Sequence, residues 1–330
     1  MKFKKVGIFL MAASMCALLA GCSGGKISDK EIILKAGFST GASDPRVIST
    51  ELFKEEVEKA TDGRIKIEIY PDSQLGADSD LIKGVVNGEV DITASSAGNF
   101  AMYDTNVGIS AMPFLFDGFD EAWDFVDGEL EETAEKNLPD FNIKVLAHYD
   151  NGFRCVTTSE SFGPINSVSD MNGLNIRTPE NQIVMETMLL LDAKPKVLPF
   201  NELKDALAKG EFDAQENPIP VIYNNGLYEV QKNLAITNHS YDVMLFVIRQ
   251  DVWDDLSEAD KKILHEAALK AQEKDRELIR KQTEDFVSAL EDAGMNITYP
   301  DLDEFRDATS EAFDIFKNSY DAELLSKVLN

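Results

Sequence analysis

The chain has 330 residues, with 59 acidic against 32 basic side chains and a net charge of −27. So acidic a surface repels phosphate backbones and anionic headgroups, which excludes nucleic acid as a partner of the folded body. Apolar and aromatic residues make up 44%, enough for a substantial core, and at this length two lobes are expected.

The first 21 residues read as an export signal. Lys2, Lys4 and Lys5 precede a mostly apolar run over 6–19, and Leu19-Ala20-Gly21 leads into Cys22. About 14 apolar-rich residues are too few for an ordinary membrane-spanning helix of roughly 20. A cysteine directly after Leu-Ala-Gly is similar to a bacterial lipobox, so Cys22 is the expected lipid attachment site and the new N-terminus. Residues 22–30, with Ser23-Gly24-Gly25, are then a flexible tether. The expected location is extracytoplasmic, anchored to the membrane by lipid, in a periplasm or on the outer face of the cell.

A strand is predicted over 32–38 and a helix over 47–60, stopped by Thr61-Asp62-Gly63. Ile65, Ile67 and Ile69 alternate with polar residues, the pattern of a half-buried strand over 64–70. After the turn Pro71-Asp72-Ser73 come a helix over 78–87 and a short strand over 90–94. Strands alternating with helices indicate an α/β fold. Leu81 to Asp91 is echoed by Leu203 to Asp213, each an amphipathic helix, a glycine (Gly88, Gly210), then Glu-apolar-Asp. Two such copies predict two similarly built lobes, with glycine favoured as the helix stop because it adopts the left-handed conformation.

Farther on, Ser257 followed by Glu258 and Asp260 caps a long charged helix running to about 293. Its apolar face is Ile263, Leu264, Ala267, Ala268 and Ala271. Another helix is predicted over 301–317 before a short C-terminal one. These long helices are expected to brace the lobes.

Catalytic signatures are sparse. His148, His239 and His265 are scattered, and Cys155 is the one cysteine of the body, so no metal site and no disulfide is predicted. No phosphate loop or dinucleotide fingerprint occurs, and no cofactor is expected. Gly37-Phe38-Ser39-Thr40-Gly41 fits the Gly-x-Ser-x-Gly of a hydrolase elbow, but Ala42 to Pro45 intervene before any helix. Ser39 is read as a loop residue, Cys155 as a packed one, and the protein as no enzyme.

Anion-binding residues are better placed. Arg177 closes a short apolar stretch before Thr178-Pro179, near a strand end where open α/β sheets put their ligands. Arg154 has a similar setting in Asn151-Gly152-Phe153-Arg154-Cys155. A guanidinium offers a planar donor fork that matches a carboxylate, although an arginine bonded to an internal acid would look the same in sequence.

Several motifs then occur in order. They are Gln74-Leu75-Gly76, Pro113 to Phe116, Gly173 to Pro179, Pro199 to Glu202, Gln215 to Pro218 and Tyr228 to Lys232. In this combination the chain, over about residues 32–290, closely resembles the DctP-type solute-binding proteins of tripartite ATP-independent periplasmic (TRAP) transporters. The resemblance implies a two-lobed periplasmic-binding-protein-like body with a central cleft, hinge strands and long C-terminal helices. Lobe I would comprise residues 31–151 plus about 243–282, and lobe II about 152–242 plus 283–330 with the bracing helices.

It also implies capture of a small organic acid (a sugar acid, a sialic-acid-like acid or a dicarboxylate) and delivery to an ion-gradient-driven TRAP permease. A ligand-presenting sensor is the alternative. Arg177 matches the family arginine that pairs with the substrate carboxylate, and Arg154 a second arginine near it. Asn217 matches a cleft asparagine and Phe200 an aromatic beside it. In the sialic-acid branch an aspartate corresponding to Asp78 reaches the ligand. Ser96, Glu180 and Ser39 stand where that branch has a glutamate and two asparagines. Those three departures favour a smaller polar acid.

Overall fold

The alternating isoleucines form β2 (Ile65–Tyr70), which pairs in parallel with β1 (Ile32–Gly37). This is seen in a computed structural model that describes residues 31–328. Cys22, the signal and the tether lie outside the described residues. The remaining strands are β3 (Ile92–Ser96), β4 (Ile143–Thr158), β5 (Asn175–Thr178), β6 (Lys194–Val197), β7 (Ala214–Pro218), β8 (Asn233–Arg249) and β9 (Asn296–Thr298). They make one mixed sheet in the order β2-β1-β3-β8-β4-β7-β5-β6, with β9 beside β8.

That order has the same plan from either end. β1 lies in parallel between β2 and β3, and β5 lies in parallel between β6 and β7. β3 then pairs antiparallel with β8, and β7 antiparallel with β4. The sequence echo is the link between equivalent strands: the helices Asp78–Asn87 and Phe200–Ala208 each end near a left-handed glycine, Gly88 at φ 83° and Gly210 at φ 72°. Each half of the sheet buries apolar side chains on both faces, giving the two lobes their own cores.

The lobes are joined by the two longest strands. β4 and β8 run antiparallel through both halves, with Gly152 opposite Asp242. Their pairing slips at Val145/Ala147, at Asp150/Gly152 and again at Arg154/Val156, where Ile236 to His239 bulge out of register. Bulges leave backbone N–H groups without ladder partners. The Glu258–Asp292 helix supplies acceptors: Gln272 Oε1 takes the His148 N–H at 2.7 Å and Asp275 Oδ2 the Asp150 N–H at 2.6 Å. Ser257 caps that helix, accepting from the Asp260 N–H at 3.1 Å. Leu264, Ala267, Ala268 and Ala271 pack into one lobe and Leu290 into the other, so a single rod braces both.

The helix expected over 301–317 is instead two, Leu302–Thr309 and Ala312–Phe316. Thr309 Oγ1 donates to the Phe305 carbonyl at 2.9 Å and Ser310 Oγ to the Asp307 carbonyl at 2.7 Å. Hydroxyls that bond back onto the preceding turn compete with the backbone ladder there. The second piece packs against Ile109, Met112 and Ile183.

Candidate functional site

The carboxyl ends of β1, β3, β5 and β7 converge beside the β4–β8 crossing, and the cleft between the lobes opens there. Ser39 and Thr40 follow β1, Ser96 ends β3, Arg177 nears the end of β5, and Asn217 nears the end of β7. Asp78 starts its helix from one lobe and Phe200 starts another from the opposite lobe. These side chains, with Arg154, line one narrow cavity of about 40 Å³. Glu180 stands apart: it is exposed at the outer mouth, beside Asp78, Asn99, Arg177 and Phe200.

The two expected arginines have different surroundings. Arg154 is buried, and two protein acids engage its guanidinium, with the Asn217 amide oxygen accepting from NH2 at 3.2 Å. Nε bonds Glu216 Oε2, NH1 bonds Asp242 Oδ2, and NH2 reaches Glu216 Oε1 at 2.9 Å and the Glu216 carbonyl at 2.8 Å. Burial opposes its charge, yet the attraction of Glu216 and Asp242 outweighs that and raises its pKa. Burial likewise works against the Glu216 carboxylate, but Arg154 overrides it and draws the pKa down to about 2. His239, carried in by the β8 bulge, sits 3.4 Å from Glu216 Oε2 and 2.9 Å from Thr237 Oγ1.

Arg177 has no acid partner among the described residues. It is 2% exposed, and its one side-chain hydrogen bond runs from Nε to the Leu198 carbonyl at 2.8 Å. Burial pushes its pKa down to about 10, a direction opposite to Arg154. It remains a cation at neutral pH, with its terminal donors directed by no internal carboxylate. A buried guanidinium is stabilised by an anion that supplies the missing pairing.

On the opposite wall Ser39 Oγ donates to Asp78 Oδ1 at 2.8 Å, and Ser96 Oγ to Asp242 Oδ1 at 2.6 Å. Ser39 thus serves a carboxylate, and the cavity lining includes no histidine to activate it. Among the described residues no group of three or more His, Cys, Asp and Glu is placed to hold a metal ion. Cys155 is wholly buried in β4, and burial drives its thiol up to about 11.

Sequence reasoning missed Arg46, Asn99, Asn151 and Asp242, all of which line the cavity. Arg46 is buried near the start of the Pro45–Ala60 helix, with Nε 2.9 Å from Asp44 Oδ1. The strand-end argument that selected Arg177 applies equally to the residues just after β1 and would have reached it. Asp242 had no local signal, since its place opposite Gly152 depends on long-range pairing. The lobes also meet beside the cleft, where Gly98 faces Asn181 so closely that an added Cβ would lie 1.8 Å from Asn181 Nδ2. Asn181 cannot readily withdraw, because its Oδ1 accepts from the Ile183 and Val184 N–H groups at 2.9 and 3.2 Å.

Residues 36–319 match the profile of the bacterial extracellular solute-binding proteins, family 7 (DctP). The chain belongs to the DctP family. It is 30% identical over 300 residues to the sialic acid-binding periplasmic protein SiaP of Vibrio cholerae, covering 89% of this chain and 91% of that one. It is 32% identical over 279 residues to the 2,3-diketo-L-gulonate-binding periplasmic protein YiaO of Escherichia coli, covering 84% of each. Among solved structures, a TRAP periplasmic solute-binding protein from Polaromonas bound to D-erythronate superposes with a TM-score of 0.87 at 33% identity, covering 90% of this chain and 98% of that one. The sugar acid binding protein DctPAm from Advenella mimigardefordensis, in complex with galactonate, gives 0.87 at 28% identity, with 92% and 98% covered. The two-lobed fold and the family expected from the motifs are therefore those found. The DctP family is made of solute-binding proteins.

Proposed function

We propose that this chain captures a small carboxylate-bearing organic acid between its lobes and delivers it to an ion-gradient-driven TRAP permease. The observation that carries this reading is Arg177: buried, cationic, on the cavity wall, and without an internal acid. Relatives of the same fold hold D-erythronate and galactonate, both carboxylates. In this reading Arg177 pairs with the ligand carboxylate, Asn217 and Phe200 flank it, and Ser39, Asp78 and Ser96 meet the remainder. Glu180 acts at the mouth. Arg154 stays with Glu216 and Asp242 and shapes the floor.

The lobes divide at the β4–β8 crossing, residues 31–151 plus about 243–282 against about 152–242 plus 283–330. Contacts made only with the lobes closed favour that state, which is the form offered to the permease. A lipid on Cys22 holds the body at the membrane, and no catalysis takes place.

The test is a thermal-shift panel of organic acids, each at about 1 mM. A ligand with a micromolar dissociation constant adds about 4 kcal/mol of stability at that concentration, several degrees of melting temperature for a protein of this size. Arg177→Ala should abolish the shift, since losing one partner of a desolvated charge pair costs roughly 2–5 kcal/mol, or about 30- to 3,000-fold in affinity. Unchanged binding in that variant would refute the assignment.

A further inference from the structure

The cleft of a protein that takes up anions is not itself cationic. Arg46, Arg154 and Arg177 line it together with Asp78 and Asp242, while Asp44 backs Arg46 and Glu216 backs Arg154. Three guanidinium groups thus meet four carboxylates. Asp44 engages Arg46, and Arg154 is shared by Glu216 and Asp242. Two charged groups are left without a salt bridge among the described residues: Arg177, and Asp78, whose charge reaches Arg46 and Arg177 only through space.

These two stand on opposite walls of the cleft, Arg177 in β5 and Asp78 at the start of the helix that leads to β3. Asp78 Oδ1 accepts from Ser39 Oγ at 2.8 Å and Ser95 Oγ at 3.4 Å, and Oδ2 accepts from no described residue. Two further wall residues carry buried polar oxygens without a partner, Thr40 Oγ1 and Asn99 Oδ1. Of these groups the Asp78 carboxylate is acceptor-only, while the Thr40 hydroxyl and the Asn99 amide can also donate. A carboxylate oxygen can only accept, so it finds no complement at Asp78, whereas a hydroxyl donates to it.

We infer that the cleft selects hydroxy acids bearing a single carboxylate, with Asp78 as the residue that rejects a second one. This rests on Arg177 being the carboxylate partner. A polyol monoacid places its anion on Arg177 and donates its distal hydroxyls to Asp78 and Asn99. The corresponding diacid brings a second negative charge toward Asp78, where the cation on that wall, Arg46, is already held by Asp44, and like charges at a desolvated contact are strongly unfavourable.

Matched pairs test this directly: D-erythronate with meso-tartrate, D-gluconate with D-glucarate, and D-galactonate with galactarate. The members of each pair differ only in a terminal hydroxymethyl or carboxylate. Calorimetric titration of the purified protein near pH 7.5, with EDTA present, should find at least one monoacid bound at least about tenfold more tightly than its diacid. Asp78→Asn should shrink that ratio severalfold by removing the negative charge, with a melting curve confirming that the variant is folded. Ser39→Ala, which takes away a donor to Asp78 but keeps its charge, should leave the diacid disfavoured.

A diacid that binds as well as its monoacid, or a ratio untouched by Asp78→Asn, overturns the inference. If no member of any pair binds while another organic acid does so through Arg177, the inference falls and the solute-binding reading stands. If no organic acid binds at all, both fall.

Discussion

Arg154 and Arg177 sit in two regions of one cleft and illustrate two uses of the same side chain. At the strand crossing, β4, β7 and β8 surround Arg154 with Glu216 and Asp242, and its charge is consumed by the fold. At the end of β5, Arg177 meets a single carbonyl and no acid. Burial disfavours charge at both places, but only Arg154 has partners that reverse the effect. Internal pairing, more than exposure or position, separates an arginine engaged by the fold from one left open to a ligand.

Breaking the first region gives the largest expected effect. Arg154→Ala strands Glu216 and Asp242 in the interior, and breaking a buried pair costs about 3–5 kcal/mol of folding stability. The acid limb of the stability curve should change with it. Glu216 titrates at about 2 in the folded state against an ordinary 4.5. A depressed carboxylate stabilises the fold above its unfolded pKa, and the contribution, roughly 3 kcal/mol, is lost as pH falls from about 5 toward 2. Urea melts across that window should show a steep decline in the parent protein and a shallower one in Arg154→Ala. Equal slopes would mean that Arg154 is not the source.

Arg177→Lys sharpens the other side of the comparison. It keeps a cation and loses the planar fork, so one charge-assisted hydrogen bond disappears at a cost of about 1.5–3 kcal/mol in affinity. Folding stability should stay level or rise, because no internal acid is left behind. A drop in stability matching that of Arg154→Ala would erase the distinction.

A smaller effect is expected where neither arginine is touched. Gly98→Ala places a methyl against Asn181 and obstructs apposition of the lobes, an overpacking cost of about 1–3 kcal/mol. It should appear as weaker binding and a reduced ligand-induced contraction in small-angle scattering. Contraction equal to the parent's would show that Gly98 and Asn181 are not pressed together on closure. Ser96→Ala, which removes one donor to Asp242, should cost about 0.5–1.5 kcal/mol, read as a modest fall in melting temperature.

Much of the architecture was legible because its causes are local. Alternating isoleucines specified β2, Ser257 fixed the start of the long helix, and Gly88 and Gly210 marked two equivalent helix ends in matching half-sheets. One exception was the C-terminal helix, broken where Thr309 and Ser310 bond back to the backbone, a competition that apolar periodicity does not register.

By itself, the sequence determined the first strands and helices, the long charged helix, the twofold plan, the family, and the placement of Arg154 and Arg177 near chain segments suited to anions. Each of these depends on residues close together in the chain or on a motif read as a unit. Only the tertiary structure decided which arginine was unengaged. The partners of Arg154 lie 62 and 88 residues away, on strands that meet it only once the sheet has formed. The same long-range pairing brought Asp242 to the cavity wall. Local context gave the two expected arginines similar surroundings, and the sheet gave them different partners.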